Sequence, residues 1–215
     1  MDNHTNEIIT GLIVSAGKSS RMGEFKPLMN YSGSTFIHQI LNKLDTICHQ
    51  IIIVTGFRTE KLERETVSAL RDNSQDSLLS KIRFVENPGY EEGMFTSLKK
   101  GIKEIKDSDQ SFPGTSWVIY HFVDQPGLSA DFYSDFIKQI DGSYNWVQPS
   151  YKNEKGHPIL LKKELFNIIL QAEDDSNLRE VSMNPVVKKK IWECSYKNIL
   201  QDLDTPEDYQ TDMEI

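Results

Sequence analysis

The apolar run from Ile8 to Val14 empties directly into a loop of glycines, hydroxyl side chains and cations, GLIVSAGKSSRMGEFK from Gly11 to Lys26. A chain that begins this way commits itself to a buried strand whose carboxyl end opens on an anion-binding turn. Gly17, Ser19, Ser20 and Gly23 let backbone N–H groups approach phosphate oxygens closely, and Arg21 and Lys26 add cationic donors. The loop is not a Walker A sequence, because no GK[ST] follows at the required spacing, and it contains no GxGxxG. It reads as a triphosphate cradle of another kind.

Strand and helix signals then alternate to the end of the chain, the pattern of a layered α/β sheet with mostly parallel strands. Phe36, Ile37, Ile40, Leu41 and Leu44 mark a helix face with Ser34 or Thr35 as its N-cap, and Ile51 to Val54 is a short β-branched strand. A helix through Leu62, Val67 and Leu70 precedes a polar loop around Asp72 to Ser77, read as mobile, and a strand at Ile82 to Val85. Pro88 and Gly89 turn the chain into a helix near Gly93, and Trp117 to Val123 is expected to be the central strand, ending at Asp124, Gln125 and Pro126. Phe132, Phe136, Ile137 and Ile140 give the next helix its buried face. Strands at Trp146 to Pro149 and Pro158 to Leu161, a helix through Leu165 and Ile169, and a last strand region ending in Asp202, Leu203 and Asp204 complete the series. The expectation is one domain over residues 1–215 with a Rossmann-like, three-layer fold.

Bulk properties narrow the function. At 215 residues the chain suffices for one well-buried α/β domain, and a net charge of −8 argues against nucleic acid as a general partner. Any anion must therefore be held by a local site. Cys48 and Cys194 show no CxxC or Cys/His spacing, which argues against a zinc site or disulfide framework and suits a reducing cytoplasm. The first ten residues, MDNHTNEIIT, lack the basic and apolar regions of a secretory signal, and no apolar run reaches membrane-spanning length. A cytoplasmic protein with no membrane partner is expected.

Asp124 falls where a buried strand gives way to loop, at the carboxyl edge where ligands bind in open α/β sheets, which makes it a metal-ligand candidate. Asp202 and Asp204 are two residues apart, so in an extended strand they share a face and parity does not separate them. Thr205 and Pro206 suit the N-cap and first position of a helix, with Glu207 and Asp208 as partners of its dipole. Met94, Leu98 and Ile102 are spaced to pack along one helix. His4, His38, His49 and His121 have no context that suggests a ligand.

Together these stretches resemble a known family. AGxSxRMGxxKPL, carried by Ala16, Gly17, Ser19, Arg21, Met22, Gly23, Lys26, Pro27 and Leu28, resembles the signature loop of the molybdenum cofactor nucleotidyltransferases, in particular the cytidylyltransferase branch. VDQP at Asp124 resembles that family's ADQP, QDLDTPED its DIDTPED, Gly93-Met94 with Ser97, Leu98 and Gly101 its GMxxSLxxG, and Gly156-His157-Pro158 its GHP. The resemblance implies Mg²⁺ on Asp124 and, by analogy with the wider superfamily, Asp202. It implies triphosphate contacts from Arg21, Lys26, Gly17, Ser19 and Gly23, crowding of a purine base by Ala16, where the guanylyltransferase branch carries glycine, a base or ribose contact from Ser97, and an acceptor-side contact from His157. CTP as donor, molybdopterin or molybdenum cofactor as acceptor, and a molybdenum hydroxylase maturation factor as a further partner follow from the same likeness. Two departures stand out: Ser15 replaces an alanine, and EDDSNLREV at Glu173 to Val181 occupies the place of a glycine-rich GDxGAR. The rival readings are a guanylyltransferase, a cytidylyltransferase with another phosphorylated acceptor, and a non-catalytic cofactor-binding chaperone.

Overall fold

The computed structural model describes residues 7–107 and 114–213, with side chains described to residue 210. His4 and the first six residues of the amino-terminal segment lie outside that range. The strands are β1 (Ile8–Ser15), β2 (Asn30–Tyr31), β3 (Ser34–Thr35), β4 (Gln50–Thr55), β5 (Ile82–Glu86), β6 (Thr115–Phe122), β7 (Trp146–Tyr151), β8 (Glu154–Lys155), β9 (Ile159–Lys162) and β10 (Lys189–Glu193). The helices are α1 (Phe36–Leu44), α2 (Thr59–Asp72), α3 (Asp76–Ser80), α4 (Met94–Asp107), α5 (Ala130–Ile137), α6 (Phe166–Gln171), α7 (Leu178–Val181) and α8 (Pro206–Met213).

The main sheet runs β10-β7-β9-β6-β1-β4-β5, with β8 paired to β7 and β2-β3 forming a separate hairpin. β5, β4, β1 and β6 are mutually parallel, as are β7 and β10, while β9 inserts antiparallel between β6 and β7. Side-chain alternation builds the layers. In β1 and β4, Ile9, Ile13, Ile51 and Ile53 face the side covered by α1, α2, α3 and α5, and Leu12, Val14, Ile52 and Val54 face α4, α6 and α7. Strands buried on both faces explain why Ile8 to Val14 and Ile51 to Val54 read as continuous apolar runs. The mostly parallel three-layer α/β fold expected from the sequence is the one observed.

Local signals account for most boundaries. Thr35 caps α1 by accepting from the His38 N–H at 3.3 Å, and Ser129 caps α5 by accepting from Phe132 at 3.2 Å. Two expectations are corrected. The polar stretch after Asp72 is not an open loop: α3 forms at Asp76 because Leu78, 2% exposed, and Leu79 pack it beneath the sheet edge. Residues 201–204 are not a strand either, since the last strand is β10 and this segment crosses the sheet end, with the Leu203 N–H donating to Asp124 O at 3.0 Å. The parity that left Asp202 and Asp204 equivalent does not apply to irregular backbone.

Two features seat that crossing segment. Leu203, 1% exposed, packs with Met22 and Phe36, joining the first loop, α1 and the carboxyl-terminal segment in a small apolar cluster. Gly156 lies so close to residue 199 that a Cβ would stand 2.3 Å from the Ile199 carbonyl oxygen. The contact is with backbone, so no rotamer relieves it. Gly156→Ala is expected to cost about 1–3 kcal/mol by overpacking, measured by urea unfolding, whereas an unchanged midpoint would show that residues 196–204 move freely.

Candidate functional site

At the carboxyl edge of β1 and β6 lies a cleft of about 200 Å³. Ala16, Gly17, Ser19, Arg21 and Lys26 line one side, and Asp124 and Asp204 the other. The chain builds the first side by coiling the loop after β1 on itself. Ser19 and Gly23 take φ values of 54° and 75°, the left-handed conformation that Gly23 adopts without strain. The Met22 N–H donates to Ser19 O at 3.1 Å and the Lys26 N–H to Ser19 Oγ at 3.2 Å, closing the turn. Met22 and Phe25, 5% and 7% exposed, root the coil in the apolar interior.

This rooting carries Lys26 into the protein. The residue is 7% exposed, and its ammonium donates to Asp204 while standing 3.8 Å from Asp124. Arg21 reaches the other oxygen of Asp204 at 2.5 Å from the exposed rim. A buried ammonium is tolerated only when paired and hydrogen-bonded, and two carboxylates supply that pairing. Asp204 is itself fixed by a reciprocal cap: Asp208 Oδ2 accepts from the N–H groups of Asp204 and Thr205 at 3.2 and 2.9 Å, while Thr205 Oγ1 accepts from the Asp208 N–H at 3.2 Å.

Asp124 is the electrostatically costly member. Burial, then the Asp202 charge, raise its pKa to about 6, with Lys26 opposing and Asp204 adding. Its Oδ1 is a buried acceptor without a hydrogen-bond partner. Beneath it Lys43 of α1 donates to Pro126 O at 2.6 Å, and burial lowers that ammonium to about 8. A carboxylate with an unsatisfied oxygen, lining one cleft together with a second carboxylate and an anion-binding loop, fits a hard divalent cation. Among the described residues no three His, Cys, Asp or Glu side chains form a metal cage, so such an ion would complete its shell with phosphate oxygens and water.

The other sequence candidates lie around this cleft rather than on it. Asp202 sits behind, its Oδ1 accepting from Gln125 Nε2 at 2.9 Å, and burial and Asp204 raise its pKa. Ser97 is 1% exposed and accepts from Asn87 Nδ2 at 3.0 Å; with Thr96, also 3.0 Å away, it braces the Asn87 to Gly93 loop. Gly23 shapes the turn without lining the cleft. His157 packs on Phe122, ring centroids 4.6 Å apart, and burial lowers its pKa to about 4, so its ring is neutral at pH 7. His121 is a core residue, bonded to Tyr133 Oη at 2.6 Å. Lys43 carries no recognisable ligand spacing, Gln125 enters the sequence pattern only as a member of VDQP with no role of its own, and Met94, whose spacing suggests packing along α4, is 64% exposed at the cleft lip.

The family described as MobA-like NTP transferase domain matches residues 11–188. The molybdenum cofactor cytidylyltransferase of Escherichia coli K12 is 26% identical over 201 residues, covering 93% of each chain. A probable molybdenum cofactor guanylyltransferase of Bacillus cereus AH187 is 24% identical, covering 77% of this chain and 76% of its own. A nucleotidyl transferase structure from Methanothermobacter superposes with a TM-score of 0.75 at 20% identity, covering 96% of both chains.

Asp124 binds its proton more tightly in the native state than in the unfolded chain. A carboxyl that holds its proton more tightly in the native state contributes stability below about pH 4, and that stability is lost as pH rises through about 6. At pH 7.5 the ionised, quarter-exposed side chain therefore opposes folding of the metal-free protein. Asp124→Asn should stabilise the metal-free protein by about 1–2 kcal/mol at pH 7.5 and give no gain at pH 4. Urea unfolding at both pH values measures this, and a destabilised Asn variant at pH 7.5 would contradict it.

Proposed function

The chain belongs to the MobA-like NTP transferase family and is a nucleotidyltransferase, and from that premise we propose that it transfers CMP from CTP to the terminal phosphate of molybdopterin, releasing pyrophosphate. One observation carries the reading: a buried lysine and a rim arginine line one small cleft with two carboxylates, both cations paired with Asp204, at the strand ends where open α/β sheets take their ligands. A triphosphate and a divalent cation together satisfy both sides.

In this mechanism an acceptor phosphate oxygen attacks the α-phosphorus of CTP, the bond to the β-phosphate oxygen breaks, and pyrophosphate leaves with that electron pair. Arg21, Lys26 and the N–H groups of the coiled loop hold the β- and γ-phosphates and stabilise the charge that accumulates on the leaving group. Asp124 and Asp204 would hold Mg²⁺, the lining of the cleft by Asp204 supporting it over Asp202. When bound, that ion supplies charge neutralisation and alignment at the phosphate oxygens. Binding of the triphosphate frees Asp204 from Arg21 and Lys26, because phosphates and carboxylate compete for the same donors. No side-chain nucleophile is required.

Ala16 supports the choice of donor. It lines the cleft at 3% exposure, directly after β1, and the resemblance places a glycine there in guanylyltransferases. The extra methyl crowds a purine. His157, neutral at pH 7 and packed on the cleft residue Phe122, is the acceptor-side contact in this reading, and the Asn87 to Gly93 loop braced by Ser97, which runs into the cleft residue Met94, is the base-side one. The acceptor class follows the Escherichia coli relative, a maturation factor for molybdenum hydroxylases is the partner this product would meet, and the unpaired cysteines suit the cytoplasm.

Pyrophosphate release measured with CTP, UTP and GTP in competition tests the assignment. CTP should be preferred to GTP by about 10- to 100-fold, the worth of a small steric difference in a closed pocket. Equal use of GTP would replace the cytidylyl reading with the guanylyl one, and binding of cofactor without any pyrophosphate release would favour the chaperone. Lys26→Met should weaken CTP binding by at least about tenfold, the loss of one charge-assisted contact of roughly 1.5–3 kcal/mol, as read by calorimetry, and wild-type affinity in that variant would remove Lys26 from the cradle.

A further inference from the structure

Gln125 follows Asp124 directly and is 2% exposed, yet it touches none of the groups assigned above to phosphate or cation. Its Nε2 donates to Asp202 Oδ1 at 2.9 Å and to Ile199 O at 3.2 Å, across 77 and 74 residues of chain. A carboxylate and a carbonyl accept only, so they fix which end of the amide faces them. The cost falls on Oε1, which is buried without a hydrogen-bond partner. A group that leaves one of its own atoms unsatisfied in order to hold two others is maintaining an arrangement at the expense of stability.

The two atoms it holds both belong to the segment that delivers Asp204. Ile199 O is also the acceptor for the His157 N–H at 3.0 Å, and Leu203 N–H donates to Asp124 O at 3.0 Å, so Gln125 extends a short backbone ladder into a side-chain crosspiece. Lys26 acts electrostatically on Asp202 as well as on Asp124. An Asp202 carboxylate released by Gln125 would compete with Asp204 for that ammonium.

We propose that Gln125 is a positioning residue which, by tying Asp202 and Ile199 to the turn after β6, sets the separation of Asp124 and Asp204 that divalent-cation binding requires. The inference rests on the nucleotidyl-transfer reading for the identity of the bound groups. It assigns Asp202 the part of a hydrogen-bond acceptor in this crosspiece, not of a metal ligand.

Calorimetric titration of Mn²⁺ into the protein with CTP present, beside titration of CTP without metal, separates the possibilities. Gln125→Met and Asp202→Leu should each weaken Mn²⁺ binding by about 10- to 100-fold, as loss of an outer hydrogen-bond partner does. Asp202→Asn keeps an acceptor for Gln125 and should stay within about threefold of wild type, and the double variant Gln125→Met with Asp202→Leu should be no worse than either single one. Metal-free CTP affinity should hold in all of them. The proposal is overturned if Gln125→Met binds Mn²⁺ as wild type does, if Asp202→Asn loses as much as Asp202→Leu, or if metal-free CTP binding falls in parallel. Should Gln125→Met fail to fold, the contrast between the two Asp202 variants still decides. Wild-type protein that binds neither CTP nor Mn²⁺ would contradict the nucleotidyl-transfer reading itself, whereas a fully competent wild type matched by Gln125→Met contradicts only the part given to Gln125.

Discussion

One buried ammonium organises this protein's working end. Lys26 is carried below the surface by the coiled loop after β1 and meets carboxylates from two distant parts of the chain, Asp204 in contact and Asp124 at 3.8 Å. Removing Asp204 leaves the lysine without its direct partner in the interior, and removing the lysine leaves the carboxylates Asp124, Asp202 and Asp204 to repel one another, so the loop and the two carboxylate-bearing segments are interdependent. The loop, the turn after β6 and the carboxyl-terminal segment are therefore held to one another by charge as well as by the Met22, Phe36 and Leu203 cluster. Ligand binding is an exchange of partners within that arrangement, with phosphate taking the cations and a divalent ion taking the carboxylates.

The same arrangement explains why the site is costly. Asp124 has an unsatisfied buried oxygen and a raised pKa, and Gln125 beside it leaves Oε1 unpaired. A chain optimised for stability would place a neutral, fully bonded turn at the end of β6. Its retention of carboxylates and orphan acceptors at one sheet edge, above a core in which Trp117, Phe132 and Phe136 are fully buried, is the usual division between a scaffold that stabilises and a site that works.

Much of this was legible in the sequence, for identifiable reasons. Strands buried on both faces write themselves as apolar runs, which gave β1, β4 and β6, and a strand running into glycine, serine and cations can hardly be other than an anion turn. Asp124 was legible because it stands at a strand–loop boundary. Parity did not separate Asp204 from Asp202 and the resemblance favoured Asp202, whereas residues 201–204 are irregular backbone whose side chains are sorted by Gln125 and Lys26, 77 and 178 residues away. Ser97 was expected from the resemblance to contact base or ribose, but its burial behind Asn87 depends on a loop that no spacing rule describes. Gln125 stood inside the VDQP motif without a role of its own, since a glutamine in a turn has no assignable chemistry until its two acceptors are known.

The most direct test of the account is a crystal structure of the protein with Mn²⁺ and CTP, with the metal located by its anomalous scattering. The account predicts one strong peak bonded to Asp124 and Asp204, with Lys26 and Arg21 turned onto the triphosphate and Asp202 still held by Gln125. A peak bonded to Asp202 in place of Asp204, or a triphosphate lying away from the Ala16 to Lys26 loop, would contradict it.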